Sequence, residues 1–348
     1  MKRQALKHPI RNESGIALVL VLWVVAILSV VVLEFCYAMR TEINITHHYR
    51  EDLQLQAIAG GGVERAIAEL VCKNDPGVQQ FRKSMEDQIP SDKKEWMADG
   101  RPYSLTFDQG VCEVRVTSEM GKININQVSD TLLRRIIENV GLQPETKDII
   151  VDSILDWRDS DDLQHVNGAE NDYYQSLKEP YNCKNGNLDS IEELLLIRGV
   201  TPDIFFGRQT VKKGEESSLP KPIALKDIFS IYSGGEQIDI NSAPLPVLRA
   251  VLGFPMELSQ RVIEARKDKG FQNQQDLVQR VPELSASMTQ IAGNIVFQST
   301  VPFYTVESRA KVKEGNAFRG VKALIKIDKG EKKGYKMIQW VDALPLNE

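Results

Sequence analysis

The sequence predicts an α+β fold in which a long N-terminal helix packs on an antiparallel sheet and a large all-α domain is inserted into that sheet. Three observations predict it. An apolar run at residues 16–33 continues past Arg40, without proline, into an amphipathic stretch that reaches Leu70. Alternating strand patterns occupy 103–117 and return at 303–341. Between those two regions strand signals vanish and helical spacing takes over.

The apolar run is broken only by Ser29 and has about the minimum length for a membrane-spanning helix. Lys2, Arg3, Lys7 and Arg11 precede it, and Arg40 is the first base after it. The positive-inside rule therefore places the N-terminus in the cytoplasm and the body outside. Three readings compete. A cleaved secretory signal needs a small-x-small site, for which Tyr37-Ala38-Met39 is a poor candidate. An uncleaved anchor is the second. The third is a basic leader ending in Glu13-Ser14-Gly15, with the apolar helix starting at once on Ile16. Farther on, Leu53, Leu55, Ile58, Val63, Ala66, Ile67 and Leu70 supply an apolar stripe at helical spacing. Gly60, Gly61 and Gly62 interrupt it and are expected to weaken and bend the helix.

In the body, 103–117 forms two alternating stretches around Asp108-Gln109-Gly110, a hairpin pattern. Strands are expected again at 303–312, 319–327 and 335–341, with turns at Gly315-Asn316 and Lys329-Gly330-Glu331. The chain divides accordingly into a leader (1–15), a transmembrane and spine helix (16–70), a first sheet portion (71–118), the helical insertion (119–299) and a second sheet portion (300–348). At 348 residues it is long enough for two folded units. The net charge of -5 argues against a nucleic-acid partner, because polyanion binding draws on clustered Lys and Arg. Cys36, Cys72, Cys112 and Cys183 form no C-x-x-C pair, so no zinc or redox motif is indicated. In an oxidising compartment Cys72 and Cys112 are a candidate disulfide, a pairing that spacing leaves open.

The insertion contains a near-repeat. Ile123-Asn124-Ile125-Asn126 leads into a helix around Leu132 and Ile136, then Val140-Gly141 and a second helix at 149–157. Ile238-Asp239-Ile240-Asn241 leads into Val247-Leu248, then Leu252-Gly253 and a second helix at 259–266. A related helix–Gly–helix surrounds Gly199. This is the helix-hairpin-helix, or SAM-like, pattern. Residues 238–277 resemble the family of competence DNA receptors, so a membrane-anchored DNA receptor or a minor pilin for DNA uptake is the alternative function. DNA-binding versions use a Gly-apolar-Gly hairpin whose amides meet a phosphate. Here the hairpins read Gly141-Leu142-Gln143, Gly199-Val200-Thr201 and Gly253-Phe254-Pro255, and none has the second glycine.

Asp156, Asp159, Asp161, Asp162, Glu170 and Asp172 crowd one polar loop, where carboxylates repel unless a cation or basic groups sit among them. All-oxygen donors with a glycine for the turn are the composition of a calcium site. With Asp159 as position one, Asp161 falls at three and Glu170 at twelve, as in an EF-hand, but Leu163 and Gln164 at five and six do not fit. The competing reading is a solvated loop in which Asp159 or Asp161 caps local turns. His165, in the same loop, has two readings, assisting a metal or, the favoured one, simply facing solvent.

The Gly15–Ile16 junction resembles the leader of type IV pilins and pseudopilins. That likeness implies cleavage between Gly15 and Ile16 by the prepilin peptidase and methylation of the new N-terminus. Most members carry Glu at the fifth mature position; here it is Leu20. The type II secretion K subunit is the member that lacks it. Asp156-Trp157, Asp159 and Asp161, Gly168-Ala169-Glu170, Tyr173-Tyr174, Pro180-Tyr181, Glu193-Leu194, Gly199-Val200 and Ile238-Asp239-Ile240-Asn241-Ser242-Ala243-Pro244 are similar to that subunit, over essentially the whole chain. The resemblance implies a pilin-like fold and a minor pseudopilin at the tip of the pseudopilus, in the bacterial inner membrane with a periplasmic body. It implies the I and J minor pseudopilins and the major pseudopilin as partners. It also implies calcium, with Asp159, Asp161 and Glu170 as the first choices for ligands and Asp162 and Asp172 after them.

Catalysis has no support in the sequence. His8, His47, His48 and His165 belong to no His-Glu-x-x-His motif, and neither Gly-x-Ser-x-Gly nor a phosphate loop occurs. The expectation is an assembly component with no catalytic residues.

Overall fold

The first described element decides the shape of the rest: residues 13–73 form one helix, α1 (Glu13–Lys73), of 61 residues. The structure, a computed structural model, describes residues 13–73, 75–84, 95–208, 222–313 and 317–342. The basic leader residues and the expected turn at Gly315-Asn316 lie outside them. At 1.5 Å per residue α1 is about 90 Å long. Its first part, from Ile16 to Leu33, exposes Leu, Val, Ile and Trp side chains on all sides and is apolar enough to cross a membrane. Its last part buries one stripe, Leu55, Ile58, Ala59, Val63, Ala66, Ile67 and Leu70, against Val114, Val116, Val306, Ala310, Val321, Ala323 and Ile325 of the sheet. Each fully buried Leu or Ile there contributes about 1.5–3 kcal/mol.

In chain order there follow α2 (Pro76–Ser84), β1 (Asp99–Phe107), β2 (Gly110–Ser118), β3 (Ile123–Asn124), α3 (Asp130–Val140), α4 (Pro144–Arg158), α5 (Asn171–Gln175), α6 (Pro202–Phe206), α7 (Leu225–Ile228), β4 (Phe229–Ser230), β5 (Ile238–Asp239), α8 (Leu245–Leu252), α9 (Met256–Ala265), α10 (Gln274–Arg280), α11 (Met288–Ile291), β6 (Ile295–Val296), β7 (Phe303–Val312), β8 (Phe318–Ile327) and β9 (Tyr335–Asp342). The main sheet runs β1-β2-β7-β8-β9, antiparallel throughout. Strands β2 and β7, separated by the whole insertion, pair along their full length from Gly110↔Val312 to Ser118↔Tyr304. The alternation of buried and exposed residues in β2 is the period-2 pattern of a sheet with one covered face.

The register fixes where the insertion sits. It leaves after Ser118 and returns before Phe303, at one end of the sheet. Helix α1 reaches the opposite end first. Asp52 is ion-paired with Arg319 at the start of β8, at 2.6 Å, and Ile58 lies against Gly110. Only at Val71 does α1 meet Gly334, in the β8–β9 turn beside the insertion. The helical domain is therefore carried at the end of the sheet farthest from the apolar span.

Two expectations about the spine are corrected. The three glycines do not break α1. A Cβ on Gly62 would overlap Ser308 Oγ and stand 2.9 Å from both Cys112 Sγ and Val114 Cγ2, and one on Gly61 would crowd Phe107 at 3.3 Å. Glycine here lets the helix backbone approach the sheet. Cys72 and Cys112 are free thiols. Cys112 lies under Gly62, ten residues before Cys72 on the same helix, which amounts to about 15 Å along the axis. That is beyond the span of a disulfide.

The insertion is built twice on one plan. In the first unit Asn124 accepts from the Asn126 amide at 3.0 Å; in the second Asp239 accepts from the Asn241 amide at 2.9 Å. Helices α3 and α8 end on left-handed Gly141 and Gly253, as expected. Their partners α4 and α9 end at a buried or half-buried arginine that reaches back. Arg158 donates to the carbonyls of Ile125 and Val128, and Arg266 to that of Ile240. Asn126 clamps Leu188 through both its amide and its carbonyl, and Asn241 does the same to Phe271. Helices α3 and α8 pack on each other. The units also contain strands that the sequence does not announce: β3 pairs with β4 and β5 with β6, in parallel. Two residues are too short to register as a periodicity. Around Gly199 the first element, Ile191–Leu196, is 3-10 and not α.

At the seam, Ser118 and Ser299 hydroxyls meet at 3.3 Å and Arg101 donates to the Lys267 carbonyl at 2.7 Å. Glu119 is buried there and accepts from Thr305 at 2.6 Å. Burial alone would raise its carboxyl, but nearby Lys122 and the hydroxyls of Ser230 and Thr305 outweigh it and hold the group below its usual range.

The contrast between neighbouring glycines is testable. Gly62→Ala should lower unfolding stability by about 1–3 kcal/mol through overpacking. Gly60→Ala, whose Cβ would meet nothing within 4 Å, should raise it by about 0.5–1 kcal/mol. Chemical denaturation of the two variants decides; equal effects would refute close packing as the role of Gly62.

Candidate metal centre

The acidic loop is anchored by an aromatic cluster. Trp157, in the last turn of α4, is buried with its ring edge-on to Tyr174 at 5.2 Å and to Tyr181 at 6.3 Å. That cluster pins the C-terminus of α4 to α5 and turns the residues between them, 159–170, back over the helix end. Helix α4 then presents its carboxylates at i, i+4 and beyond on one face.

Asp152, the first buried one, is fully provided for. Arg134 donates to it at 2.6 Å, and Asn167 donates its amide at 3.0 Å and its side chain at 3.1 Å. Burial would raise this carboxyl, yet Arg134 and Asn167 prevail and lower it. One turn on, Asp156 is completely buried. One of its oxygens is bonded to the amide of His165 at 3.1 Å and to the His165 ring at closer range. The other oxygen is buried without a hydrogen bond. Gly168 lies directly against it, where a Cβ would overlap Oδ2.

Asp159, at the C-cap of α4, and Glu170, at the N-cap of α5, complete the group. Asp159 Oδ1 and both carboxylate oxygens of Glu170 are buried with no hydrogen-bond partner, and so is Asn185 Oδ1. Glu170 is only 5% exposed. Burial, then Asp156 and Asp159, push its carboxyl up to about 7. Burial and the neighbouring Asp161 raise Asp159 likewise. Among the described residues, Asp156, Asp159 and His165 place their ligand atoms within 4.8 Å of one another. Four oxygens of the carboxylates Asp156, Asp159 and Glu170, all buried and without a hydrogen bond, fit a hard dication, which takes six to eight oxygen donors. Without positive charge among them the arrangement is costly.

The structure sorts the expected ligands. Asp159 and Glu170 belong to the buried group. Asp161 is exposed and accepts from the Leu163 amide at 2.9 Å, the turn-capping role that was the competing reading. Asp162 is exposed and accepts from Asn185 at 2.9 Å and Asn171 at 3.3 Å, at the rim of the group. Asp172 is exposed on the first turn of α5. The loop is thus not an EF-hand, whose ligands come from one continuous segment. Sequence spacing does not single out Asp156 or Asn185, whose oxygens are also buried without a hydrogen bond. Asp156 sits inside the apolar stretch of α4, and a charge in such a stretch was the available signal. Asn185 lies fifteen positions past Glu170 and holds a left-handed backbone, φ 48°; only its Asn-Gly pair marks it. His165 does not simply face solvent, since its ring is held by Asp156, which raises its pKa.

Three comparisons bear on this geometry. Residues 116–206, which include the whole acidic loop, match the family model of type II secretion system protein K, and residues 233–296 match a helix-hairpin-helix motif. The type II secretion system protein K of Pseudomonas aeruginosa is 24% identical over 312 residues, 87% of this chain and 86% of that one. The Klebsiella pneumoniae protein of the same name is 24% identical over 272 residues, 74% of each. The crystal structure of the GspK-GspI-GspJ complex from enterotoxigenic Escherichia coli superposes with a TM-score of 0.58, covering 86% of this chain and 99% of that one at 16% identity, a likeness of fold.

Gly168 offers a direct check on the buried group. Gly168→Ala should destabilise the fold by about 1–3 kcal/mol, because the added methyl must displace Asp156. A denaturation midpoint equal to the parent's would show that Asp156 is not held where it stands.

Proposed function

Because this chain belongs to the type II secretion protein K family of minor pseudopilins, we propose that it is the tip subunit of the pseudopilus and initiates its assembly. The observation that carries this reading is the position of the insertion, at the end of the sheet farthest from the apolar span. A domain of that bulk stands where the next subunit's sheet would stack, so this chain accepts neighbours only behind it. Leu20 supports the same reading. In pseudopilins the Glu at this position is thought to meet the N-terminal amine of the subunit ahead, and a subunit with none ahead has no use for a carboxylate that is expensive in lipid. The I and J minor pseudopilins are the proposed neighbours, as in the complex solved for the Escherichia coli relative, with the major pseudopilin following. The apolar helix packs against theirs through close van der Waals contact, since lipid removes the usual hydrophobic drive. The prepilin peptidase cleaves between Gly15 and Ile16 on the cytoplasmic side, leaving the body in the periplasm. The DNA-receptor alternative gains nothing: the chain is acidic, and its hairpins lack the second glycine.

The acidic loop is proposed to bind calcium through Asp156, Asp159, Glu170 and Asn185, with Asp162 at the rim. When bound, the ion supplies the positive charge these buried oxygens lack. His165 and Asn167 hold the flanking carboxylates Asp156 and Asp152 in place, and Trp157 holds the loop to the core.

Two measurements test these readings. In native membranes the mature chain should begin at methylated Ile16, and this species should vanish when the prepilin peptidase is absent. A chain beginning at Met1, or cleaved beyond Leu33, would sink the pseudopilin maturation. For the metal, calcium at a hundred times its dissociation constant should raise stability by about 2.7 kcal/mol. Glu170→Gln and Asp159→Asn should each remove most of that gain. Identical melting in calcium and in chelator would count against the site.

A further inference from the structure

We propose that His47, His48 and Glu51 form a binding site for a dication of the zinc class on α1, separate from the acidic loop and independent of the assembly role. The three are the second group of metal-ligating side chains among the described residues, with one ligand atom from each lying within 4.8 Å of the others. Helix geometry brings them together. At about 100° per residue, Glu51 stands one turn beyond His47 and between the directions of the two imidazoles. His48 Nδ1 is already 3.9 Å from Glu51 Oε2, and the two rings stand edge-on with centroids 6.2 Å apart.

Donor chemistry sets the metal class. Two imidazoles and one carboxylate are the ligands of zinc and its neighbours, whereas the acidic loop, carboxylate-rich with His165 as its one imidazole, suits calcium better. Zinc–nitrogen bonds of 2.0–2.1 Å put tetrahedral donors about 3.4 Å apart, so the group must contract slightly. The imidazoles are free to turn: the His48 side chain is 79% exposed. Glu51 is the fixed member, 19% exposed, and the adjacent Asp52–Arg319 pair holds this turn of α1 to the sheet. Three ligands leave a coordination position for water. His47 lies fourteen residues past Leu33, about 21 Å along the helix, clear of the hydrocarbon.

The test uses the full-length chain in detergent, without a polyhistidine tag and with Cys36→Ser, so that the exposed thiol does not compete. Zinc is titrated against a chromophoric chelator in saturating calcium, which occupies the acidic loop. Saturable binding is expected, weakened about tenfold or more by His47→Ala and by Glu51→Gln, and unchanged by Glu170→Gln. Cobalt in place of zinc should show no thiolate charge-transfer band. The proposal is overturned if no saturable binding occurs, if neither variant weakens it, if Glu170→Gln removes it, or if the cobalt spectrum shows sulfur.

Discussion

Everything in this chain hangs on the close contact between the last third of α1 and the face formed by β2, β7 and β8. The helix backbone approaches so nearly at Gly62 that a methyl group would not fit. That contact buries the stripe from Leu55 to Leu70 and makes one sheet out of strands from opposite ends of the sequence. It also sets direction. Because α1 crosses the sheet from the Asp52–Arg319 end to the Gly334 end, whatever is inserted between β2 and β7 must project away from the apolar span. A membrane anchor and a distal head are thus consequences of one packing interface.

The insertion shows a local solution used twice. In both units an Asx turn ends a two-residue strand, a left-handed glycine stops the first helix, and an arginine from the second helix returns to carbonyls of the starting segment. Arg266 is almost wholly buried, and burial lowers its pKa to about 10, still well above neutral. A buried guanidinium bonded to backbone fixes the register of the unit more firmly than apolar packing alone would. The hairpin architecture matches a motif familiar from nucleic-acid binding, but the chemistry at the hairpins does not follow, and function resides in the site and not in the fold.

The acidic loop shows how placement decides the fate of a carboxylate. Asp152 and Asp156 are one helical turn apart and equally removed from solvent. Arg134 and Asn167 satisfy the first completely; the second is left with a bare oxygen facing Glu170 and Asp159. The same fold thus satisfies one buried carboxylate completely and leaves oxygens of three others without a hydrogen bond.

The sequence by itself determined whatever depends on neighbours within a few residues. The apolar span, the amphipathic stripe, the hairpin, the three final strands and the glycine stops of α3 and α8 were legible because periodicity and backbone preference are local. It also marked the acidic loop, since six carboxylates so close together are conspicuous. Tertiary structure decided what depends on approach across space. Gly61 and Gly62 read as part of a bend and serve as contacts, because the sheet residues that demand them lie far away along the chain. Cys72 and Cys112 read as a pair and stand about 15 Å apart, because the helix separates them. Asp156 came to lie beside Asp159 and Glu170, while Asp161 and Asp172 stayed in solvent. Which oxygens lose water on folding is set by what packs over them, and linear spacing does not carry that information.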